Sequence, residues 1–427
     1  MSKFQIVLLG IFGFFIIVAV LTFALYRGAS SAAATVTVWG SYSSSEFNDF
    51  LNTAKLNQDR QLTIRYVAKP ETELAEEFTE ALAAGVGPDL IILPQAQIWE
   101  NKNKLIVIPY ASISERDFKE TFIEEGELFL TSEGAYALPF SVDPMVLYYN
   151  RDLLSAAGLA KPLSYWDEIY AAIIDLTKRD AAGNIIQSSI ALGETRNIDN
   201  AKDTLSLLLL QAGTPITGFI GGELRSLLSS NFDQTIRPAD AALDFYTQFA
   251  NPTKAYYSWN RTLPKAQTSF TSGDSAYYLG FASELYELRG KSPTLNFSVA
   301  AVPQSRVSGK TLTFGSLYGV AISRGSRNTA AALEAALYLV SREASAALVQ
   351  VLILPPARRD LLSARPTDAI LPVFYTAALQ SRGWLDPDES GTREIFYGLV
   401  DDITSGRSRT TEAVNSASRE LDSIISK

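Results

Sequence analysis

The sequence of 427 residues contains neither cysteine nor histidine, and these two absences exclude several kinds of chemistry. Without cysteine the chain has no disulfide framework, and no lipid can be attached through a cysteine thiol. Without cysteine or histidine it cannot form a serine–histidine triad, a cysteine nucleophile or a usual zinc site. No pair of acidic residues stands out as a hydrolytic pair. The sequence therefore predicts a protein that is not an enzyme and that needs no cofactor and no metal.

Basic residues are outnumbered by acidic ones. Lysine and arginine together number 37 and aspartate and glutamate 46, which gives a formal net charge of −9. The first 34 residues contain two cations, Lys3 and Arg27, and no acid, so the rest of the chain is more acidic still. Proteins that bind nucleic acids attract the phosphate backbone with clusters of lysine and arginine. We therefore expect no nucleic-acid partner.

The segment from Phe4 to Tyr26 lacks charge altogether. This apolar run is long enough for a helix of about 20 residues that crosses a bilayer. The apolar part of a cleaved secretory signal is shorter, about 7–15 residues. We expect an uncleaved transmembrane anchor over residues 1–27, a small-residue linker over 28–34, and a domain outside the cytoplasm. Cleavage near Ala32-Ala33-Ala34 is the alternative.

The remainder is rich enough in apolar residues to fold, at 47% of the whole chain. Its length exceeds what one hydrophobic core usually supports, so two lobes are expected. Short β-rich runs alternate with helical patterns after the linker, and this alternation predicts βαβ units around a largely parallel sheet. The predicted strands include 36–39, 62–67, 88–93, 185–192 and 295–302. The predicted helices include 71–84, 166–178, 199–212, 238–249, 329–341 and 343–351.

An ordered series of motifs is the strongest indication of function. At its centre, Leu138-Pro139-Phe140 cannot continue a helix, because proline disfavours the α region for the preceding residue. The other members are Gly85-Val86-Gly87-Pro88-Asp89, Tyr148-Tyr149-Asn150, the Phe-x-x-Gly-x-x-Ala pattern at 270–276 and the Pro-x-Arg pattern at 356–358. In order and spacing, the series resembles that of extracellular solute-binding proteins of carbohydrate-importing ABC systems, the maltodextrin-binding-protein type.

That resemblance implies an α/β fold of the periplasmic-binding-protein-like type II, with two lobes that close on a solute around hinge crossovers. Residues 35–142 and 278–322 would form lobe 1, and residues 143–277 and 323–427 lobe 2. A monomer of this kind would capture a sugar or oligosaccharide and deliver it to ABC permease subunits. Three alternatives remain: a sensor or scavenging receptor, a binder of a phosphorylated or peptide solute, and a tethered glycosidase.

Sugar sites combine aromatic faces with a few polar groups. The resemblance and the positions of such residues select these candidate ligand contacts: Trp39, Ser41, Tyr42, Ser43, Gln95, Gln97, Phe140, Asp143, Trp259, Phe281, Gly315, Ser316, Tyr318 and Arg358.

Several candidates have a structural alternative. Asp143 is expected to accept sugar hydroxyls at the crossover, or else to cap the hinge. Trp259 is expected to be a stacking platform in a loop, or else part of lobe packing, and Ser43 would otherwise be a helix cap. Asp386 to Gly391 resembles the start of a calcium loop, but the twelfth position is Tyr397 where glutamate is required, so we expect a solvated turn.

Overall fold

The computed structural model describes residues 15–16, 34–58, 62–306, 309–352, 354–363 and 366–426. The predicted anchor lies outside these residues except for Phe15 and Ile16, and the predicted linker except for Ala34. In the part of the chain that is described, no helix is both long enough and apolar enough to cross a membrane.

Both lobes are built from strands and helices that alternate along the chain. The strands are β1 (Ala34–Gly40), β2 (Leu62–Ala68), β3 (Leu90–Pro94), β4 (Leu105–Ile106), β5 (Ile108–Pro109), β6 (Gly134–Ala135), β7 (Leu138–Asn150), β8 (Lys178–Arg179), β9 (Ile185–Ile190), β10 (Thr217–Ile220), β11 (Glu223–Ser226), β12 (Ser275–Phe281), β13 (Phe297–Ala300), β14 (Thr313–Ser323) and β15 (Ser381–Arg382). The helices are α1 (Ser44–Thr53), α2 (Glu71–Ala83), α3 (Gln95–Asn101), α4 (Glu115–Thr121), α5 (Arg151–Ala156), α6 (Ile169–Leu176), α7 (Ala201–Ala212), α8 (Pro238–Thr247), α9 (Ala266–Thr271), α10 (Leu285–Lys291), α11 (Thr329–Leu339), α12 (Arg342–Leu352), α13 (Arg359–Leu362), α14 (Leu371–Leu379), α15 (Glu389–Thr404) and α16 (Thr410–Ile425).

A mixed sheet runs through both lobes in the order β2-β1-β3-β14-β7-β12-β9-β8. β1 pairs in parallel with β2 and β3, as expected for βαβ units. β14 and β7 are antiparallel to each other and to their outer neighbours β3 and β12. The two long central strands therefore join a parallel sheet on one side to a second set of strands on the other.

The buried side chains form two separate hydrophobic clusters, and we name the two lobes after them. The lobe 1 cluster contains β1 to β3 and the start of β7 as far as Val142, and the lobe 2 cluster takes up β7 again at Met145. On β14 the change falls between Phe314, in lobe 2, and Leu317, in lobe 1. The two strands thus cross between the lobes side by side, where Asp143 pairs with Ser316 and Pro144 with Gly315.

These clusters differ from the predicted division in two stretches. The described residues between 278 and 314 pack in lobe 2, because β12 pairs with the lobe 2 half of β7 and with β9. Residues 323–362 pack in lobe 1, because α11 and α12 lie against β1, β14 and α1. The chain therefore returns to lobe 1 through β14 and not through β12. α14 contributes side chains to both clusters before the chain enters lobe 2 for the last time.

A buried acid, Glu125, lies against one side of the crossing of β7 and β14. The Glu125 carboxyl, only 2% exposed, accepts a hydrogen bond from the Ser381 hydroxyl, and its other oxygen has no partner. Burial raises its pKa to about 8, although Ser381 and the positive charge of Arg382 act in the opposite direction. A side chain at Gly315 would collide with this group, since a Cβ there would lie 1.9 Å from the Ser381 oxygen.

Candidate functional site

Three loops of lobe 1 converge at one edge of its sheet. Because β1, β2 and β3 are parallel, the segments that follow them share the carboxyl edge, which is where open α/β sheets bind ligands. These segments are 41–43, 69–71 and 95–97. β14 reaches the same edge from the opposite direction, since Tyr318 pairs with Pro94 at the end of β3. The sequence-predicted loops at Trp39 to Ser43 and at Gln95 to Gln97 are thus brought together.

Aromatic side chains form a wall at this edge. The Tyr42 ring lies 5.9 Å from the Phe140 ring and 5.8 Å from the Tyr318 ring, centroid to centroid. Phe140 is buried beneath, whereas Tyr42 and Tyr318 are half-buried and keep part of each ring accessible. The Tyr42 hydroxyl is fixed by a 2.6 Å hydrogen bond to the Ser141 hydroxyl on β7. We call the two accessible rings, Tyr42 and Tyr318, the tyrosine wall.

Glu71, the first residue of α2, stands beside the tyrosine wall. The Tyr318 hydroxyl donates to its carboxylate, at 3.2 Å from Oε2 and 3.4 Å from Oε1. Solvent reaches Glu71, yet the surrounding protein desolvates it enough to raise its pKa, and the negative charge of Glu389 raises it further. Because Glu389 begins α15 in lobe 2, a charge of lobe 2 acts on Glu71 of lobe 1.

Asp143 occupies the crossing on β7 and is 6% exposed. Its Oδ1 accepts a 3.0 Å hydrogen bond from the Ser283 backbone N–H of lobe 2. Burial raises the pKa of Asp143 to about 7; hydrogen bonds from Ser283 lower it, and the charges of Glu284 and Glu71 raise it. Near neutral pH the carboxyl therefore exchanges a proton. The structural alternative for this residue, a cap at the hinge, describes its contact with Ser283.

A second acid holds the segment that carries Ser283. Glu284 accepts hydrogen bonds from four donors, at distances of 2.6 to 3.0 Å: Phe281 N, Asn200 Nδ2, Tyr278 Oη and Gln267 Nε2. This fixes Phe281, whose ring lies 6.4 Å from that of Phe314. Glu284 therefore positions the lobe 2 side of the crossing.

Gln95 and Gln97, which were predicted to contact the ligand, form hydrogen bonds within the protein. Gln95 is 3% exposed, its amide nitrogen donates to the Gly315 carbonyl at 3.1 Å, and its oxygen accepts from the Leu317 N–H at 2.6 Å. Both groups are thus used to brace β14 at the crossing, beside Ser316. Gln97 is also buried, donates to Glu389 Oε2 at 3.0 Å, and has an amide oxygen without a partner.

Trp259 and Arg358 do not lie with these residues. Trp259 is 0% exposed, belongs to the lobe 2 core and donates from Nε1 to Asn197 at 3.1 Å. The expectation of an exposed stacking platform is wrong for this structure, because the loop folds back onto Phe249 and β9. Arg358 pairs with Asp360 and donates to the Val340 carbonyl within lobe 1.

The predicted ligand contacts of the first loop, Ser43, Trp39 and Ser41, differ in what they contact. Ser43 accepts from the Glu46 N–H as the N-cap of α1, so its structural alternative is present. Trp39 is half-buried beneath the Lys69 ammonium, which lies 4.5 Å from the ring centroid. Ser41 is half-buried and its hydroxyl acts on Glu71, whose pKa it lowers.

Sequence reasoning missed Glu71, Ser141, Ser283, Glu284 and Glu389. Glu71 could have been found, because it follows β2 at the same carboxyl edge as the loops that were predicted. The sequence gives no such indication for the lobe 2 acids, Glu284 and Glu389, because their positions depend on how the 282–284 segment and α15 pack against the crossing strands.

No metal centre is visible among the described residues, in which no three acidic side chains are grouped to hold an ion. Asp386 pairs with Lys202 at 2.5 Å, and Asp388 caps α15 by accepting from the Gly391 N–H at 2.9 Å. A concavity of about 610 Å³ lies elsewhere, in lobe 2 between Tyr170, Asp244 and Ile403, and it contains no predicted ligand residue.

Comparison with known proteins identifies the family. The model of the bacterial extracellular solute-binding proteins matches residues 53–370. The chain belongs to this family. In fold it is similar to the crystal structure of a cyclo/maltodextrin-binding protein complexed with maltotetraose, with a TM-score of 0.75 at 17% identity, covering 93% of this chain and 98% of the other.

Curated relatives match over shorter stretches. A Brucella abortus (strain 2308) protein that is named as a binding protein is 29% identical over 123 residues, which is 29% of each chain. The galactooligosaccharide-binding protein of Bacillus subtilis (strain 168) is 25% identical over 141 residues, 31% of this chain and 29% of that protein. The matched segment thus spans less than a third of these relatives.

Proposed function

We propose that this solute-binding protein captures a sugar or oligosaccharide outside the cytoplasm and delivers it to an ABC importer. The observation that carries the proposal is the tyrosine wall, where two half-buried aromatic rings stand beside the Glu71 carboxylate. Flat rings suit the C–H faces of sugars, and the few polar groups suit their hydroxyls. The maltotetraose and galactooligosaccharide in the names of similar proteins support the same class of solute.

The charges in the cleft argue against one alternative. A phosphorylated solute would meet Glu71, Asp143 and Glu389, and like charges in a partly desolvated site repel. We therefore place neutral and positively charged sugars ahead of phosphorylated compounds. A sensor or scavenging receptor would use the same cleft, and association with permease subunits distinguishes an importer from it.

The anchor belongs to this proposal as well. The uncharged segment from Phe4 to Tyr26 is long enough to hold the two-lobed domain at the outer face of the membrane as a single-pass, monomeric protein. One intact species is then expected to stay with the membrane after a high-salt wash. A soluble product that begins near Thr35 would show cleavage instead.

The test of function is a thermal-shift screen of the full chain in mild detergent against mono- and oligosaccharides, followed by calorimetry. A ligand that binds the native state alone raises the apparent stability. We expect a saturable shift with at least one carbohydrate and no hydrolysis product after long incubation. A protein that no carbohydrate stabilises, or one that cleaves its ligand, contradicts the proposal.

A further inference from the structure

The charged groups that raise the pKa values of Tyr42 and Tyr318 are the carboxylates of Glu71 and Asp143. Glu389 raises the pKa of Glu71, and Glu284 and Glu71 raise that of Asp143. Among the described residues, neither Glu71 nor Asp143 forms an ion pair with lysine or arginine. Glu71 is hydrogen-bonded to Tyr318 and Ser41, and Asp143 to Ser283.

Three cations on neighbouring segments are paired with other acids. Lys69 is bound to Glu77, and Arg393 lies 2.9 Å from Glu389 Oε1. Lys202 is bound to Asp386 in the interior of lobe 2. The carboxylate of Glu71 is therefore left without a compensating positive charge at the place where the two lobes meet.

When the lobes close on a solute, the lack of a positive charge beside the Glu71 carboxylate becomes unfavourable in free energy. When water is removed from a carboxylate, the loss of hydration must be offset by a partner of opposite charge or by several hydrogen bonds. A neutral sugar offers hydroxyl donors alone, whereas a protonated amine offers charge and donors together.

The tyrosine wall adds a second, independent preference. The accessible rings of Tyr42 and Tyr318 are tilted by 52° and form two sides of a corner that the Glu71 carboxylate adjoins. The negative face of an aromatic ring attracts ammonium groups, and pockets for cationic ligands combine such rings with acids. Burial raises the pKa of both tyrosines, so their hydroxyls stay protonated and donate.

We propose that the solute is an amino sugar, and that its ammonium group binds beside the Glu71 carboxylate and against the tyrosine wall. This inference rests on the proposed function and narrows its substrate class. Glu71 then determines specificity: it selects the free amine over the acetylated amine or the hydroxyl at the same position of the sugar.

The test uses matched sugars that differ at one group, measured by calorimetry on the full chain in detergent. The probes are glucosamine, N-acetylglucosamine and glucose, together with chitobiose in its free-amine form, diacetylchitobiose and cellobiose. Work at about pH 6 and low salt keeps the amine protonated. Glu71→Gln removes the charge, and Glu73→Gln, on the exposed face of the same helix, is the matched control.

We expect a free-amine probe to bind wild type about tenfold tighter than its neutral counterparts, the scale of a charge-assisted hydrogen bond. Glu71→Gln should abolish this preference, Glu73→Gln should keep it, and added salt should weaken it. Equal binding of amine and neutral sugars by wild type, or equal behaviour of the two variants, overturns the inference while sugar binding stands. If no carbohydrate binds at all, the proposed function fails with it.

Discussion

The side-chain amide nitrogen of Gln97 lies 3.0 Å from Oε2 of Glu389, and this hydrogen bond joins lobe 1 to lobe 2 outside the crossing strands. A second contact between the lobes lies nearby, where the ring of Trp99 on α3 is 5.7 Å from that of Phe219 on the β10–β11 hairpin. Both contacts start from α3, so this short helix holds the lobes in the relationship seen here.

Gln97→Ala should broaden the distribution of distances between the lobes, because it removes a hydrogen bond to a charged group that favours one arrangement. The absence of native cysteine makes the measurement direct: spin labels on Glu80→Cys and Lys178→Cys, both exposed and in different lobes, report the separation. Asn103→Ala, exposed just beyond α3, is the control. Superimposable distributions for the two variants would contradict this role of Gln97.

Ligand affinity should depend on pH through Asp143. The carboxylate form accepts sugar hydroxyls and the protonated form does so less well, so affinity for a neutral sugar should rise as pH increases through about 7. Asp143→Asn should flatten this profile and weaken binding at high pH. Calorimetry from about pH 5 to pH 9 decides the matter; identical profiles for wild type and variant would mean that Asp143 acts as a hinge cap alone.

Glu125 should make the folded chain less stable in alkali. Its pKa is raised from 4.5 to about 8, so the fold favours the protonated carboxyl. The resulting stabilisation is complete below about pH 4.5 and is lost as pH rises through 8, at up to about 1.4 kcal/mol per pH unit. Glu125→Gln mimics the protonated form.

In thermal melts, Glu125→Gln should therefore reduce the fall in stability between about pH 5 and pH 8. Asp143, whose pKa burial raises to about 7, titrates within this range and contributes the same part of the fall in both proteins. Glu127→Gln, on the same segment but solvent-exposed and paired with Lys119, should leave the slope as in wild type. A slope unchanged by Glu125→Gln would show that the carboxyl is ionised in the folded state.

Trp259→Ala should destabilise the fold, by about 3–5 kcal/mol on the scale of large-to-small changes in a core. The indole is wholly enclosed in lobe 2, so the cavity left behind is the cause. Trp39→Ala, at a half-buried ring, should cost much less. Denaturant unfolding separates the two; equal losses, or reduced ligand affinity with unchanged stability in Trp259→Ala, would return Trp259 to the binding site.

The sequence predicted regular elements more reliably than tertiary neighbours. The helix expected at 71–84 and the strand at 62–67 are found at 71–83 and 62–68, because apolar periodicity and helix caps are local properties. The crossing segment around Pro139 was correctly expected to be extended. The membership of residues 278–314 was not predictable in this way, since it depends on which half of β7 receives β12.

The same limit applies to the candidate site. Tyr42, Tyr318 and Asp143 were selected from motif position, and the structure brings them together between the lobes. Trp259 was selected as an aromatic residue in a predicted loop, and long-range packing on Phe249 buries it. Glu389 is more than 300 positions from Glu71 along the chain, and no local sequence pattern indicates that the two residues act on each other.

The pairing of Pro144 with Gly315 at the crossing has a consequence for how this protein could change. Proline offers no N–H to the ladder, and the lack of a side chain at Gly315 permits the close approach of Ser381, so a substitution at either position would change how the two strands pair. Such a change would alter the balance between open and closed forms while leaving the tyrosine wall and Glu71 themselves unchanged. Substitutions around these two residues would therefore change the affinity for all ligands together, whereas substitutions in the tyrosine wall would change which ligand is preferred. Affinity and specificity could then evolve separately.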